Sequence, residues 1–272
     1  MKVMNLVEQI TQFELKTIQF DGVTQSYREA GQGKALVLLH GISSGSASWV
    51  KQLQDLAQHF HLIAWDAPGY GQSDVLATDQ PNATDYAKRL KGMLDALNVK
   101  DVILVGHSLG ALQAAAFNAL YPERVAALVL ANVAQGYKGC DEQKQKDVFE
   151  KRPKMLKELG AIGMAQSRGP HLVAHATASV LALIEVVMQK ITLDGFTNAS
   201  YLLAYDSIQT YLKEQQANTH VVMGMADGIT PVKDIQTLAE TYKLTKCYQI
   251  EDAGHLSYLD QAEKFNQILL SL

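Results

Sequence analysis

The sequence has little cysteine, proline or aromatic content. Its 272 residues include 2 cysteines and 6 prolines, and 7% of them are aromatic. Cys140 and Cys247 lie far apart and lack the spacing of metal ligands, so the sequence predicts neither a disulfide scaffold nor a metal site.

The sequence also lacks an excess of one charge and any long hydrophobic run. With a formal net charge of -4 and no dense Lys/Arg cluster, no general attraction to nucleic acid or to an anionic membrane is expected. No apolar run approaches the roughly 18 residues that span a bilayer. Glu8 and Gln9 interrupt the apolar centre that a signal peptide would need. These absences favour a cytoplasmic protein, monomer or homodimer, with a small-molecule partner and no nucleic-acid or membrane partner.

What the sequence does contain is an alternation of strand and helix patterns. A continuous apolar run such as 35–39 is typical of a strand buried on both faces of a parallel sheet. Alternation with helices predicts an α/β fold with a mostly parallel eight-stranded sheet and helices on both faces. The predicted strands are 12–20, 23–30, 35–39, 60–65, 101–105, 125–131, 219–223 and 246–250, and the helices between them are 50–57, 86–97, 110–120, 233–242 and 261–272.

The strand pattern stops between residues 134 and 216. Helical patterns follow one another there, and we interpret residues 134–216 as a helical cap inserted into a core domain of residues 1–133 and 217–272. The predicted cap helices are 144–159, 164–166, 171–189 and 200–213, and the predicted breaks are Pro153, Gly160, Gly163, Gly169-Pro170 and Asp194-Gly195.

A candidate nucleophile lies between the strand 101–105 and the helix 110–120. Residues 106–110 read Gly-His-Ser-Leu-Gly, and a strand, a sharp turn and a helix around G-x-S-x-G form a nucleophile elbow. The two glycines let strand and helix approach closely, while Ser108 takes a strained conformation that exposes its hydroxyl.

A serine hydroxyl needs a base, and two loops that follow later strands supply the partners. Asp227 lies in the loop 224–231 and His255 in the loop 251–255. His255 would accept the proton of Ser108, and Asp227 would hold the imidazole in the correct tautomer. The backbone N–H groups of Ile42 and Leu109 are the expected donors to a negative reaction intermediate.

Other polar residues near these loops are given different roles. Asn132 ends the strand before the cap but cannot supply a negative charge, and Asp252 is typical of a turn residue. We expect His107 to make a structural hydrogen bond with its ring turned away from Ser108. We expect His40 to brace the loop that carries Ile42.

With these motifs in order, the chain resembles the α/β-hydrolase superfamily over almost its whole length. Within it, the chain is most similar to the capped group of carboxylesterases, 3-oxoadipate enol-lactonases and meta-cleavage-product hydrolases. It departs from the meta-cleavage enzymes at residues 42–45, which read Ile-Ser-Ser-Gly, and at Leu256. The motifs that carry the resemblance are Leu39-His-Gly41, Trp49, Asp66 to Ser73, Gly106 to Gly110, Tyr121 to Arg124, Gly224 to Pro231 and Ala253-Gly-His255.

The resemblance implies a serine hydrolase that cleaves a small carboxylic ester or lactone through an acyl-enzyme, without a metal or organic cofactor. Arg152 and Arg168 are candidates for a two-pronged contact with a substrate carboxylate. The residues expected to line the substrate pocket are His40, Gly41, Ser43, Trp49, Met155, Arg168 and Leu256.

Three alternatives stay open at this point. The same triad can support carbon–carbon bond hydrolysis or cofactor-free perhydrolysis, because the fold does not choose among these reactions. A ligand receptor that keeps the triad and turns over slowly is an alternative of another class.

Overall fold

The computed structural model describes residues 4–214 and 218–272. It contains one sheet of eight strands, which confirms the predicted α/β class. The first strand begins at Lys16 rather than at residue 12. The strands are β1 Lys16–Phe20, β2 Val23–Ala30, β3 Ala35–Leu39, β4 His61–Trp65, β5 Val102–His107, β6 Val125–Ala131, β7 Thr219–Gly224 and β8 Lys246–Ile250.

The strand order explains where ligand-binding loops gather. The order is β1-β2-β4-β3-β5-β6-β7-β8. β2 pairs antiparallel with both β1 and β4, whereas every pair from β4 to β8 is parallel. The loops after β3, β5, β6, β7 and β8 therefore leave the sheet at one edge, where open α/β sheets bind their ligands.

Helices cover the sheet. Every residue of β3 and β5 is buried, so both faces of the sheet centre are covered. α3 packs against α4, and α2 packs against α10. The helices are α1 Leu6–Ile10, α2 Val50–Asp55, α3 Ala83–Ala96, α4 Leu109–Leu120, α5 Glu142–Arg168, α6 Ala178–Met188, α7 Leu193–Tyr205, α8 Val232–Thr241, α9 Ser257–Asp260 and α10 Ala262–Leu270.

The short helix α1 was not expected from the sequence. Asn5 and Glu8 form a capping box, in which each side chain accepts a hydrogen bond from the other residue's backbone N–H over 2.9 Å. The N–H of Leu6 donates to the hydroxyl of Ser179 in α6 over 2.9 Å. These contacts stabilise a helix of about one turn, which is too short for its sequence to show a helical hydrophobic period.

Residues 132–214, between β6 and β7, contain helices and connecting segments and add no strand to the sheet. They take part in two isolated β-bridges, Tyr70–Ile191 and Gly136–Ser207. The predicted break at Gly160 is present, because this residue has φ 65° and ψ 176° inside α5. The predicted break at Pro153 is wrong, since α5 continues through it. The predicted boundary at 216/217 lies outside the described residues.

Two predicted helices in this segment have wrong bounds. The helix predicted at 171–189 begins only at Ala178, because the Thr177 side chain accepts from the N–H of Val180 and caps it there. The helix predicted at 200–213 is α7, which begins at Leu193 because Thr192 caps it in the same way. α7 ends at Tyr205, eight residues before the predicted end.

The C-terminal helix predicted at 261–272 is α10, which spans Ala262–Leu270. The short helix α9 precedes it and was not predicted, and Gln261 separates the two helices at φ -129° and ψ 56°. Among residues 4–214 and 218–272, no helix has both the length and the hydropathy that a bilayer crossing requires.

Candidate active site

Ser108 occupies a sharp turn between β5 and α4. Its backbone has φ 54° and ψ -117°, a region that costs a residue other than glycine about 1–3 kcal/mol. A Cβ atom at Gly106 would overlap the carbonyl oxygen of Gly110 and lie 2.6 Å from the Cα of Ala111. A Cβ atom at Gly110 would overlap the carbonyl of Leu39. Strand and helix therefore approach as closely as the sequence predicts, and the turn needs both glycines.

The three predicted triad residues lie together at the edge of the sheet. The Oγ atom of Ser108 lies 3.0 Å from Nε2 of His255. The Nδ1 atom of His255 lies 2.9 Å from Oδ2 of Asp227. Ser108 and His255 are each 5% exposed and Asp227 is 8% exposed, so water competes little for these hydrogen bonds.

Asp227 is held in its ionised form. Its Oδ1 atom accepts from the N–H groups of Ile229 at 2.7 Å and Thr230 at 3.0 Å. Burial acts to raise the pKa of Asp227, but hydrogen bonds from His255, Thr230 and Asn132 outweigh burial and lower this pKa. Because the carboxylate only accepts, Nδ1 of His255 carries the proton and Nε2 faces Ser108 as an acceptor.

Asn132 and Thr230 both donate hydrogen bonds to Asp227 and were not among the predicted site residues. The Asn132 amide donates to Oδ2 of Asp227 over 2.8 Å, and its Oδ1 atom accepts from the hydroxyl of Ser257 over 2.6 Å. The Thr230 hydroxyl donates to Oδ2 of Asp227 over 2.6 Å. The only sequence signal for these residues is their position: Asn132 directly follows β6, which neighbours β7, and Thr230 lies three residues after Asp227.

Ile42 and Leu109, whose backbone N–H groups are the predicted oxyanion donors, line the cavity above Ser108. Within residues 4–214 and 218–272, neither of their N–H groups donates to a protein acceptor. Both groups can therefore donate to the oxygen of a bound carbonyl.

The loop that carries Ile42 is fixed by two rings. The Tyr70 hydroxyl donates to the carbonyl of Ile42 over 2.7 Å. The Nδ1 atom of His40 donates to the carbonyl of Gly41 over 2.8 Å, and its Nε2 atom accepts from the N–H of Ala67 over 2.9 Å. His40 thus uses both ring nitrogens in bracing the loop, as expected, and burial lowers its pKa.

His107 makes a structural hydrogen bond. Its Nε2 atom donates to the carbonyl of His255 over 2.7 Å. Burial, and after it the neighbouring His255, lower the pKa of His107 to about 3. A neutral ring that donates to this carbonyl helps hold the backbone of His255 in place.

A cavity of about 400 Å³ lies over Ser108. Gly41, Ser43, Arg168 and Leu256 line it, as predicted. Met155 lines a second cavity of about 170 Å³, and Arg152 and Arg168 line both cavities. The main cavity is closed on one side by residues of the helical segment between β6 and β7, among them Tyr137, Arg152, Arg168, Leu172 and Leu203.

The prediction that His40 and Trp49 line the pocket is wrong, because neither borders either cavity. The ring of Trp49 is fully buried and stacks on Tyr258 with a centroid distance of 4.0 Å. In the part of the chain that the structure describes, no group of three or more His, Cys, Asp or Glu side chains is placed to hold a metal ion.

Comparison with known proteins gives one family and several relatives. The family described as the alpha/beta hydrolase fold matches residues 34–262. A 2-hydroxy-6-oxo-6-phenylhexa-2,4-dienoate hydrolase from Comamonas testosteroni is 34% identical over 108 residues, which are 38% of this chain and 38% of that protein. The chain therefore matches well under half the length of this curated relative.

Two solved structures resemble the chain over nearly its whole length. An esterase from Thermogutta terrifontis with malate bound has a TM-score of 0.83 and 22% identity, and the match covers 95% of this chain and 97% of that one. An enol-lactonase from Burkholderia xenovorans has a TM-score of 0.80 and 20% identity, with 94% and 98% covered. At these identities the likeness establishes the fold.

Proposed function

The chain belongs to the alpha/beta hydrolase family, and from this premise we propose that it is a serine hydrolase that cleaves a small carboxylic ester or lactone. The observation that carries the proposal is the unbroken hydrogen-bonded line from Ser108 through His255 to Asp227, with separations of 3.0 and 2.9 Å. A buried hydroxyl in contact with an oriented neutral imidazole is an activated nucleophile.

In the first half-reaction, Oγ of Ser108 attacks the carbonyl carbon of the ester while its proton passes to Nε2 of His255. The carbonyl electron pair moves onto oxygen, and this oxyanion accepts hydrogen bonds from the N–H groups of Ile42 and Leu109. Each such donor is worth about 2.7–4 kcal/mol in the transition state. The carbon–oxygen bond to the alcohol then breaks, and His255 returns the proton to the departing alkoxide.

In the second half-reaction, water attacks the acyl-enzyme. His255 takes a proton from this water, the oxyanion forms again, and its collapse breaks the ester bond to Ser108. Oγ recovers its proton from Nε2, and the carboxylic acid leaves. Asp227 stays ionised throughout and stabilises the imidazolium that forms in each half. Water is the only second reactant in this sequence.

The shape of the site supports a small-molecule substrate. A cavity of about 400 Å³ lies within the range of small-ligand pockets. We assign the helical segment between β6 and β7 the role of a cap, because its residues Arg152, Arg168 and Leu203 close the cavity over Ser108. A cap that excludes water strengthens the hydrogen bonds to the oxyanion.

Hydrolysis of p-nitrophenyl acetate tests the proposal. We expect sustained turnover, and a loss on the order of 10⁴-fold or more in both Ser108→Ala and His255→Ala, with the unfolding midpoint unchanged. Asp252→Asn is the matched control, because this carboxylate lies three residues before His255 but is exposed. Wild-type rates in Ser108→Ala would refute the serine mechanism. A burst followed by near-zero turnover would indicate a slow-turnover receptor.

The local identity of 34% with the Comamonas hydrolase favours one second candidate, carbon–carbon bond hydrolysis of a meta-cleavage product. Turnover of 2-hydroxy-6-oxo-6-phenylhexa-2,4-dienoate, followed by absorbance, tests it. A kcat/KM for this compound well above that for any small ester would replace ester hydrolysis as the assigned reaction.

A further inference from the structure

We propose that Arg152 and Arg168 form an anion-binding subsite, so that the substrate carries a carboxylate besides its ester or lactone group. This inference rests on the proposed function and names the substrate class of the same site. Both arginines line the 400 Å³ cavity that contains Ser108, so one small molecule can reach the nucleophile and the guanidinium groups together.

The two arginines also line the second cavity of about 170 Å³, which Lys151 borders as well. Positive charge is therefore concentrated on the wall that the two cavities share. Among the described residues, Asp234 is the one acidic residue that lines the main cavity. Its side chain is exposed and is not within salt-bridge distance of either arginine. The interior of the site is accordingly suited to an anion.

The break in α5 brings the two arginines together. They lie 16 positions apart in the sequence, which on a straight helix would separate them by about 24 Å. Gly160 lies between them with a non-helical φ of 65° and ψ of 176° and divides α5 into two arms. Arg152 on the first arm and Arg168 at the end of the second thus line the same cavity.

These two arginines differ from the other three in the sequence. Within the described residues, neither Arg152 nor Arg168 takes part in a salt bridge or a side-chain hydrogen bond, although an arginine carries five donor N–H groups. The remaining arginines each donate hydrogen bonds to protein acceptors. Arg28 donates to the carbonyl of Phe13, and Arg89 donates to the carbonyls of Asp74 and Val75. Arg124 donates to the carbonyls of Val99 and Lys100 and to the carboxylate of Asp95.

A bound carboxylate would accept hydrogen bonds from the guanidinium groups of both arginines. Burial, and after it the positive charge of Arg168, lower the pKa of Arg152 to about 10, so Arg152 stays charged at neutral pH. Burial also lowers the pKa of Arg168, but a guanidinium group stays protonated in proteins. Two like charges in a half-buried site repel each other, and an ion between them converts repulsion into two attractive contacts. The planar guanidinium matches a carboxylate through two parallel hydrogen bonds.

A matched pair of esters tests the subsite. Mono-p-nitrophenyl glutarate carries a terminal carboxylate, whereas p-nitrophenyl pentanoate has an uncharged acyl chain of the same length. We expect the wild type to have the higher kcat/KM on the glutarate ester. Arg152→Gln and Arg168→Gln should each lower this value about 10- to 100-fold, mainly through KM, because each removes a hydrogen bond to a charged group. Both variants should keep kcat/KM for the pentanoate ester within about threefold of the wild-type value.

Lys157→Gln is the matched control, because Lys157 is an exposed cation on the same helix that lines neither cavity. This substitution should leave kcat/KM unchanged for both esters. Equal effects of the arginine variants on both esters, or no effect on either, would overturn the subsite.

Calorimetric binding of glutarate separates the subsite from the proposed reaction. Glutarate should bind to Ser108→Ala, and adding Arg168→Gln should weaken this binding at least tenfold. Unchanged affinity in the double variant contradicts the subsite whatever the turnover results. If glutarate binds through the arginines but neither ester is hydrolysed, the proposed reaction fails and the subsite stands.

Discussion

The side-chain amide of Asn132 donates to the Oδ2 atom of Asp227 over 2.8 Å, and the same oxygen accepts from His255 over 2.9 Å. Asn132 also accepts from the hydroxyl of Ser257 over 2.6 Å. The carboxylate that contacts His255 is therefore itself held by Asn132, the residue that follows β6. This arrangement makes Asn132 a positioning residue.

We expect Asn132→Gly to lower kcat about tenfold while KM stays within twofold. A hydrogen bond to a charged group is worth about 1.5–3 kcal/mol, and glycine removes it without strain at the φ of 46° found there. Steady-state hydrolysis of p-nitrophenyl acetate measures both constants. Ser257→Ala removes only the hydroxyl that donates to Asn132, so it should lower kcat less than Asn132→Gly does. An unchanged kcat in Asn132→Gly would show that Asp227 does not need this support.

Tyr70→Phe should lower kcat about three- to tenfold with little change in KM. The hydroxyl of Tyr70 holds the carbonyl of Ile42, and a neutral hydrogen bond is worth about 0.5–1.5 kcal/mol. Its loss lets the N–H of Ile42 turn away from the developing oxyanion. Tyr86→Phe is the control, because among the described residues the buried Tyr86 hydroxyl has no hydrogen-bond partner. Equal activity in both variants would argue against this role of Tyr70.

Gly106→Ala should lose both activity and stability. The added Cβ would overlap the carbonyl of Gly110, so strand and helix must separate and Ser108 must move. Overpacking of this kind typically costs about 1–3 kcal/mol. Gly139→Ala is the matched control, because a Cβ there meets nothing within 4 Å. Urea unfolding and ester hydrolysis measure the two effects. A Gly106→Ala variant as stable and active as Gly139→Ala would mean that the turn tolerates a side chain.

The buried ring of His107 should make the fold sensitive to acid. An unfolded histidine binds a proton near pH 6.5, whereas the pKa of His107 is lowered to about 3 in the folded chain. Between these values the unfolded chain holds more protons, so the free energy of unfolding falls as the pH falls. Well below pH 6.5, His107 alone makes the free energy of unfolding fall by about 1.4 kcal/mol for each unit by which the pH falls.

His107→Gln keeps a side-chain donor but removes this titration. Urea unfolding at pH 7 and pH 5 should therefore show a smaller loss of stability on acidification in the variant than in the wild type. Parallel losses in the two proteins would mean that His107 does not titrate as a buried neutral ring.

The sheet and the residues around Ser108 could be predicted because short-range signals determine them. The five-residue apolar run 35–39 has the length and character of a buried parallel strand, and it forms β3 without a shift in bounds. Gly106 and Gly110 bracket Ser108 at the spacing of a nucleophile elbow, and the strand and helix patterns on either side fit that turn. Asp227 and His255 each lie in a predicted loop that follows a predicted strand. The loops after parallel strands meet at the same edge of the sheet, so the two side chains were expected to lie close together.

The packing of distant residues could not be predicted. Trp49 belongs to a recognisable motif, yet its ring stacks on Tyr258 in the core, a contact that no local pattern encodes. Asp194-Gly195 is typical of a helix break, but Gly195 lies inside α7. A Cβ there would overlap the carbonyl of Gly69, so this glycine serves a close backbone approach. Helix periodicity gives no information on either contact.

Covalent labelling with diethyl p-nitrophenyl phosphate tests the central claim most directly. An activated serine attacks phosphorus, releases p-nitrophenol and keeps a diethylphosphoryl group, which peptide mass spectrometry can locate. The account predicts one group per chain, attached to Ser108, and labelling at least a thousandfold slower in His255→Ala. Labelling of a different residue, or an undiminished rate in His255→Ala, would contradict it.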